Sequence, residues 1–310
     1  MQQKLRVGYY PIRDNKFPLW VAQESKMFEK HGLEVALRSD ARGQTVEEVI
    51  SKKIDIGVVG FRAAIDALAE GADLVFVASL AANHFIFLAR PEIQSPQELK
   101  GKKIWTARPG TGPDVSTRVV LAHLGLDPET DVEIVSSGDH HALGVQWMLE
   151  GKVSASLSNR GKLKDLRKSG KKVSLLVDFI DSGLAITAAD VLMRRDWLAR
   201  NRDAAKNFLR AIIEATAFAK SHKEFTDAVF EKYLLEDFAT GMDTKYEDYV
   251  QGVLPEKPVP LTKGLEIAIQ ELAPDHSFLR RKKAADFIDE SLIAEIEREG
   301  FFEQLYPRTV

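Results

Sequence analysis

Short apolar runs recur along the first ninety residues, and each is followed by a stretch whose apolar positions have helical spacing. The runs that predict strands are "LRVGYY" (5–10), "LEVALRS" (33–39), "IDIGVV" (54–59) and "LVFVAS" (74–79). The stretches that predict helices are "PLWVAQESKMFEKHG" (18–32), "VEEVISKK" (46–53) and "RAAIDALAEG" (62–71). Strands that alternate with helices at this spacing favour crossover connections and a mostly parallel sheet.

Signals for helix ends agree with this order. Gly32 suits the C-terminal end of the first helix. Thr45 followed three residues later by Glu48 is a capping-box pattern, and Ser95 with Glu98 repeats it further along the chain. The predicted helices therefore have local starts and stops as well as periodicity.

The same rhythm begins again near residue 85. Its predicted strands are "HFIFLAR" (84–90), "KKIWTA" (102–107), "DVEIVS" (131–136), "VSASLS" (153–158), "KVSLLVDF" (172–179) and "LAITAADVLMRR" (184–195). The helices between them are "SPQELKG" (95–101), "GPDVSTRVVLAHLG" (112–125), "HALGVQWMLEG" (141–151) and "KLKDLRKSG" (162–170), and the chain is mainly helical from 196 onward. At roughly 150 residues per domain, a chain of 310 residues predicts two α/β lobes with room for a cleft.

Composition removes several classes of function. A net charge of -3 with dispersed Lys and Arg offers no basic face for nucleic acid. No apolar stretch approaches the ~20 residues that a membrane span needs. The absence of cysteine excludes disulfides, thiolate catalysis and Cys-ligated zinc. The first strand begins at once with no signal-peptide core, so we expect either a cytoplasmic protein or a leader that lies outside this sequence.

Candidate ligand residues follow from the geometry of parallel sheets. Ligands bind outside the carboxyl ends of such strands, where the loops to the next helices converge. In the first lobe this rule selects Tyr10, Arg13, Phe17, Gly43, Gly60, Phe61, Arg62, Asn83 and His84. In the second lobe it selects Thr111, Gly112, Asp114, His140 and Asn159.

The loop "RPGTGPD" (108–114) has two interpretations. Its glycines, its threonine and the following helix N-terminus could present N–H groups, a hydroxyl and partial positive charge to an anion. Alternatively, Thr111 or Asp114 simply caps the helix while Gly110 and Gly112 make the turn. Asp114 could also occupy the anion position itself and favour a ligand that carries an amine.

The first-lobe candidates divide into cations, aromatics and one glycine. Arg13 and Arg62 could clamp a carboxylate, sulfonate or phosphate by bidentate contacts, although most surface arginines do nothing of the kind. Tyr10, Phe17 and Phe61 could form an apolar wall, although aromatics near strand ends more often belong to the core. Gly60, without a side chain, would let backbone approach a ligand.

The pair His140 and His141 is a weak metal candidate. Adjacent histidines point in different directions, and a metal site needs three or four convergent ligands. No G-x-S-x-G, H-E-x-x-H, G-x-G-x-x-G or Walker pattern is present. We therefore expect no metal, no cofactor and none of the usual marks of a hydrolase or a nucleotide enzyme.

Six ordered segments resemble one family of transport proteins. They are "PLWVAQESKMFEKHGLEVAL", "KKIDIGVVGF", "SPQELKGKKIWTA", "GLDPETDVEIV", "MLEGKVSASLSN" and "VLMRRDWLARNRDAAKNFLRAI". In sequence and spacing they resemble the solute-binding proteins of ABC importers, in the group that binds nitrate, sulfonates, taurine and thiamine pyrimidines. The resemblance implies an α/β, two-lobe type II periplasmic-binding-protein fold, with mixed sheets, helices on both faces and two hinge crossings. It also implies a first lobe of residues 1–85 plus 190–310 and an inserted second lobe of 86–189.

The resemblance implies a function without catalysis. A small anionic, aromatic or heterocyclic molecule would be captured in the cleft by hinge closure, and a membrane-embedded ABC permease would be the partner of a monomer. The protein would be periplasmic or lipid-anchored, with its export signal outside this sequence. Thr111 and Gly112 would hold the ligand's polar head, opposed by Arg13, Arg62 and Asn83, with Asn159 as a further polar contact and Tyr10, Phe17 and Phe61 as the wall.

Two other classes share related folds. The fungal pyrimidine synthases of thiamine biosynthesis look similar over the same segments, but they use a lysine and a histidine near the third strand and a cysteine-rich run. The stretch "DIGVVGFRAAIDAL" has neither Lys nor His, and the chain has no Cys. A desulfinase- or decarboxylase-like enzyme stays open, with His84 or His140 as its acid/base candidate. A regulator's sensing domain would require a helix-turn-helix, and the chain begins directly at the first strand.

Overall fold

The computed structural model describes residues 2–10, 12–40, 43–82, 85–109, 111–138, 143–184, 186–234, 245–274 and 276–307. For residues 61, 62, 245, 248, 268, 271 and 272 it describes the backbone alone. The chain forms two compact units, one of Met1–Ala82 with Thr187–Val310 and one of Asn83–Ile186. The sequence prediction placed both crossings three residues later, at 85/86 and 189/190.

The strands and helices follow the predicted order. The strands are β1 Gln3–Tyr9, β2 Leu33–Ser39, β3 Ile56–Val59, β4 Leu74–Ala82, β5 Ile86–Ala89, β6 Lys103–Thr106, β7 Glu133–Ser136, β8 Ala155–Ser158, β9 Ser174–Asp178 and β10 Thr187–Arg194. The α-helices in the described part of the chain are α1 Phe17–Glu24, α2 Met27–Lys30, α3 Thr45–Ile50, α4 Phe61–Ala69, α5 Gly112–His123, α6 Leu143–Leu149, α7 Arg160–Lys168, α8 Arg195–Arg200, α9 Arg202–Ser221, α10 Lys223–Tyr233, α11 Lys263–Leu272, α12 Ser291–Arg298 and α13 Phe301–Leu305. Short 3-10 helices cover Asp14–Lys16, Pro96–Leu99, Leu279–Arg281 and Ala284–Phe287, and Lys245–Gln251 is a π-helix.

Within the described residues, each unit contains one mixed sheet of five strands. The first has the order β2-β1-β3-β10-β4, and the second has the order β7-β6-β8-β5-β9. In the first sheet β1 runs parallel to β2 and β3, while β10 runs antiparallel to β3 and β4. In the second sheet β6 runs parallel to β7 and β8, while β5 runs antiparallel to β8 and β9. Each sheet is therefore mainly parallel, with one internal antiparallel strand.

Two predicted helices are interrupted where the backbone departs from helical geometry. The stretch 18–32 divides into α1 and α2 because Lys26 adopts a left-handed conformation with φ of 58°. The predicted helical region that begins at residue 196 divides into α8 and α9 at Asn201, whose φ is −129°. Helices α1 and α2 then pack against α9, where Phe28 stacks on Phe208 at a ring separation of 5.6 Å.

The two predicted capping boxes are replaced by other contacts. Thr45 is the first residue of α3, and its hydroxyl donates to Asp40 Oδ2 at 3.2 Å. Ser95 precedes its 3-10 helix without a side-chain cap, and Glu98 Oε2 accepts from Gln94 N at 2.8 Å. The elements start where predicted to within a residue, but neither has a side-chain cap.

None of the helices that the structure describes is long and apolar enough to cross a membrane. The longest, α9, spans 20 residues, but charged side chains interrupt its apolar positions. Its buried face includes Phe208, Leu209, Ile212 and Ile213 and belongs to the core of the first unit.

Candidate functional site

In the first unit, the loops predicted as ligand contacts lie at one edge of the sheet. The carboxyl ends of β1, β2 and β3 share this edge because the three strands are parallel. The antiparallel strand β10 begins at the same edge, where Thr187 pairs with Ala82 at the end of β4. The chain therefore leaves and re-enters the first unit beside its candidate loops.

The second unit has the same arrangement within itself. The carboxyl ends of β6, β7 and β8 lie at one edge. Strand β5 begins there, since Ile86 pairs with Ser158, and β9 ends there, since Ile86 also pairs with Asp178. In both units, the strand-end loops adjoin the segments that connect one unit to the other.

Tyr10 and Gly43 bring the ends of β1 and β2 together. The backbone N–H of Tyr10 donates to Val58 O at 3.2 Å, and its half-buried ring covers Gly43. A Cβ on Gly43 would lie 3.4 Å from the Tyr10 ring, and the φ of 75° at Gly43 favours glycine. Tyr10 therefore lies against the turn at Gly43, whose conformation favours glycine, and its ligand role stays a prediction.

Phe17 corrects the prediction of an aromatic ligand wall. Its side chain is fully buried and stacks on Phe230 with 3.9 Å between ring centroids. Arg13 begins the preceding 3-10 helix in an extended conformation and is half-buried. That helix turns the chain inward, so Phe17 is a core residue of the first unit and has no accessible surface for a ligand.

A buried polar cluster in the same loop was missed by the sequence reasoning. Lys16 is fully buried, and its Nζ donates to Asn15 Oδ1 at 3.0 Å. Asn15 Nδ2 in turn donates to Ala188 O at 3.0 Å, close to the point where the chain re-enters the first unit. Asp190 Oδ1 accepts from the hydroxyls of Ser79 and Thr187, each at 2.6 Å.

Burial favours the neutral form of the Lys16 amine. Removal from water lowers its pKa to about 7, because the charged ammonium loses hydration. Asp190 and Asp14 oppose this change by favouring the charged form, and Arg13 adds to it. The loop that carries Tyr10 and Arg13 is thus anchored by an amine that titrates near neutral pH. In the sequence, only the segment "DNK" (14–16) could have indicated this buried amine, and its composition predicts an ordinary polar turn.

Gly60 precedes α4 at the end of β3. Its φ of −75° and ψ of 148° suit any residue, and an added Cβ would contact only Ala188 O, at 3.8 Å. Neither backbone conformation nor packing therefore requires glycine here. Helix α4 begins at this strand end, and no side chain caps it in the described structure.

In the second unit, the loops after β6 and β7 are bonded together. Arg108 N donates to Gly138 O at 2.8 Å, and Ser136 Oγ donates to Ala107 O at 2.7 Å. The hydroxyl of Thr111 donates to Arg108 O at 2.7 Å, so Thr111 closes its own turn and does not cap α5. Thr111 and Gly112 are half-buried at the start of that helix, where first-turn amides gather.

Asp114 is buried in the first turn of helix α5. Its carboxylate is buried, accepts from Thr106 Oγ1 at 3.2 Å, and faces Arg118 Nε at 3.5 Å. These contacts join the first turn of α5 to the end of β6 inside the second unit. Asp114 therefore positions the helix, and its predicted contact with a ligand amine stays a prediction.

Asn159 is a helix cap. It follows β8, is exposed, and its Oδ1 accepts from Lys162 N at 2.8 Å, so it caps α7. Capping by asparagine at this position is a common structural role. Its predicted contact with a ligand stays a prediction.

Several predicted residues fall outside what the structure describes. Asn83, His84 and His140 lie outside the described residues, and Phe61 and Arg62 are described only as backbone in the first turn of α4. Their ligand roles stay predictions. Among the described residues, no group of three or more His, Asp or Glu could hold a metal ion.

Two α/β units, each with a mainly parallel sheet and an internal antiparallel strand, form the fold known from periplasmic binding proteins. The aliphatic sulphonate-binding protein SsuA of Escherichia coli shows this fold, with a TM-score of 0.70, 21% identity, and coverage of 95% of this chain and 100% of SsuA. The chain belongs to the NMT1/THI5-like family, whose model matches residues 14–225. The family resemblance and fold class predicted from the sequence are thereby confirmed.

Relatives in this family include binding proteins and enzymes. YtlA of Bacillus subtilis, inferred to be a binding protein, is 24% identical over 225 residues, which cover 70% of this chain and 66% of YtlA. The yeast 4-amino-5-hydroxymethyl-2-methylpyrimidine phosphate synthase THI13 is 28% identical over 231 residues, which cover 68% of this chain and 66% of THI13. The matches thus span slightly less than two thirds of these relatives.

Proposed function

We propose that this chain is the solute-binding component of an ABC importer and captures a small molecule between its two units. One observation carries the proposal: in each unit, polar strand-end loops adjoin the segments that connect the units. Ligand contacts from both units would then exist only in a closed form. Binding would shift the open/closed equilibrium by the difference in affinity between the two forms.

The helix starts support an anionic group on the ligand. Helices α4 and α5 both begin at strand ends, and Gly60 and Thr111, which precede them, provide no side-chain cap. First-turn amides and the helix dipole favour an anion at such positions. Arg13 and Arg62 would add charge from the first unit, while Tyr10 and Phe61 would cover an apolar or aromatic part. A sulfonate, a carboxylated aromatic or an acidic heterocycle fits this set.

The transport role extends to location and partner. SsuA of Escherichia coli is named as a periplasmic binding protein, and its fold is that of this chain. We propose a monomer in the periplasm or on a lipid anchor, which delivers its ligand to an ABC permease. No cofactor, metal or catalytic step is needed for this role.

An enzyme on the same fold is the second candidate. The similarity to the synthase THI13 favours it, since that relative is named for a chemical reaction. The proposed ligand site would then bind a substrate, and His84 or His140 would be the acid/base candidate. The two functions differ in one observable: a binding protein returns its ligand unchanged.

A thermal-shift screen of sulfonates, aromatic carboxylates and heterocycles tests the proposal. A specific ligand should raise the melting temperature in a concentration-dependent way. Replacing Arg62 with Ala should then weaken an anionic ligand by about 1.5–3 kcal/mol, the scale of a charge-assisted hydrogen bond. The matched control is Arg281→Ala, which removes an exposed arginine from a 3-10 helix outside the candidate loops. Unchanged affinity in the Arg62 variant would remove that residue from the site.

A further inference from the structure

A groove lies along the outer edge of the sheet in the second unit. Strand β9 is the last strand of that sheet and, within the described structure, bonds to β5 on one side only. The groove has a volume of about 600 Å³ and is lined by Pro91, Gln94, Arg167, Gly170 and residues 171–176. An edge strand of this kind presents backbone N–H and C=O groups to which another strand can bond.

The segment that leads into the groove has a local excess of positive charge. Residues 160–172 contain seven basic residues and one acidic residue, in a chain whose net charge is -3. Arg160 is engaged with Asp178 and Asp181. By contrast, Arg167, Lys168, Lys171 and Lys172 are exposed and form no ion pair with any carboxylate in the described parts of the chain.

An apolar side chain lies within this basic surface. Leu175 on β9 is 42% exposed, while Val177 on the same strand is buried. Pro91 and Leu176 also line the groove. An exposed strand edge, the exposed Leu175 and three exposed cations, Arg167, Lys171 and Lys172, thus lie together in one concave surface.

We propose that this groove binds an extended acidic segment of a partner protein, which adds as a further strand to the free edge of β9. Backbone hydrogen bonds would supply affinity, as in other cases of strand addition. Alternate side chains would either cover Leu175 or place carboxylates beside Lys171 and Lys172. A flat anionic membrane fits less well, because it neither enters a groove nor bonds to a strand edge. The proposal is independent of the solute-binding role.

The test uses the whole chain and an eight-residue peptide of alternating Leu and Glu. Hydrogen exchange should slow at the backbone amides of 174–178 when the peptide binds, and high salt should weaken binding. The double variant K171E/K172E should weaken binding about tenfold, because two attractive pairs become repulsive. The control K102E/K263E makes the same change in net charge at exposed lysines outside the groove and should leave binding unchanged.

Four results would overturn the proposal. Equal binding of a Leu–Lys peptide would show that charge does not select the partner. Binding without protection of 174–178 would exclude strand addition. Sedimentation with vesicles of phosphatidylglycerol and phosphatidylcholine, in the absence of peptide binding, would assign the surface to lipid. If neither probe binds, the lysines serve only to keep this edge from pairing with other chains.

Discussion

The loops after β1 and β6 follow comparable strands, since each strand lies between two parallel neighbours in its own sheet. The loop after β1 turns inward, so that Lys16 and Phe17 are fully buried. The loop after β6 stays near the surface, where Thr111 and Gly112 are half-buried. A position at a strand end therefore identifies a candidate loop, but the direction of the next turn decides whether a side chain belongs to the core or to a site.

The largest loss of stability is expected from a substitution in the loop after β1. Phe17→Ala should lower the free energy of unfolding by about 3–5 kcal/mol, because it removes a fully buried ring that stacks on Phe230. Tyr10→Ala is the control on the same loop, and its half-buried ring should matter less. Urea unfolding measures both variants. A loss below about 1 kcal/mol for Phe17→Ala would contradict its core position.

The next effect concerns the buried amine of that loop. With a pKa of about 7, Lys16 is mainly neutral in the folded protein at alkaline pH, whereas the unfolded chain binds its proton up to about pH 10.5. Between these values the unfolded state binds more protons, so stability rises with pH. Lys16→Met should abolish this contribution. The variant should be more stable than the natural chain at pH 7.5, and this difference in the free energy of unfolding should fall by about 2 kcal/mol between pH 7.5 and 9.5.

The pH dependence of unfolding in the two proteins checks this prediction. Asp14, Asp190 and Arg13 act on Lys16 in the folded state and are present in both proteins, so the difference between the two curves reports on Lys16. Tyr249, whose hydroxyl donates to Asp14 O at 3.1 Å, has a pKa that burial raises well above its usual value. Identical slopes would show that Lys16 is not buried as described.

A smaller effect compares one glycine from each unit. Gly144→Ala should cost about 1–3 kcal/mol of stability, because its Cβ would lie 2.6 Å from Trp105 Cδ2. Gly60→Ala should leave stability unchanged or raise it by about 0.4–1 kcal/mol, because its backbone and surroundings accept a methyl group. If ligand approaches the backbone at Gly60, that variant should lose affinity while remaining stable. Full affinity would place the ligand elsewhere.

The smallest effect on stability tests the surface loop. Thr111→Ala removes a hydrogen bond to Arg108 O, and Ser169→Ala removes a similar local bond to Leu166 O. Each substitution should lower the free energy of unfolding by no more than about 1.5 kcal/mol. Only the Thr111 variant should weaken an anionic ligand in a binding titration. Equal affinities in the two variants would remove the Thr111 hydroxyl from the site.

Local patterns predicted the fold well because strands and helices alternate with clear periodicity. Strand β2 begins and ends at the predicted residues, 33 and 39. The candidate site was harder to predict, because the decisive contacts join distant parts of the chain. Asn15 bonds to Ala188, and Asp190 bonds to Ser79, but no local motif links these positions. Phe17 shows the same limit, since a ligand wall and a core have the same sequence pattern.

We expect the chain to bind a small molecule and to release it unchanged. Isothermal titration with the ligand found by screening, followed by mass spectrometry of the recovered ligand, distinguishes binding from catalysis. We predict saturable binding of one molecule per chain and recovery of that molecule unchanged after prolonged incubation. Recovery of a chemically altered product with repeated turnover would contradict the transport role and favour the enzyme.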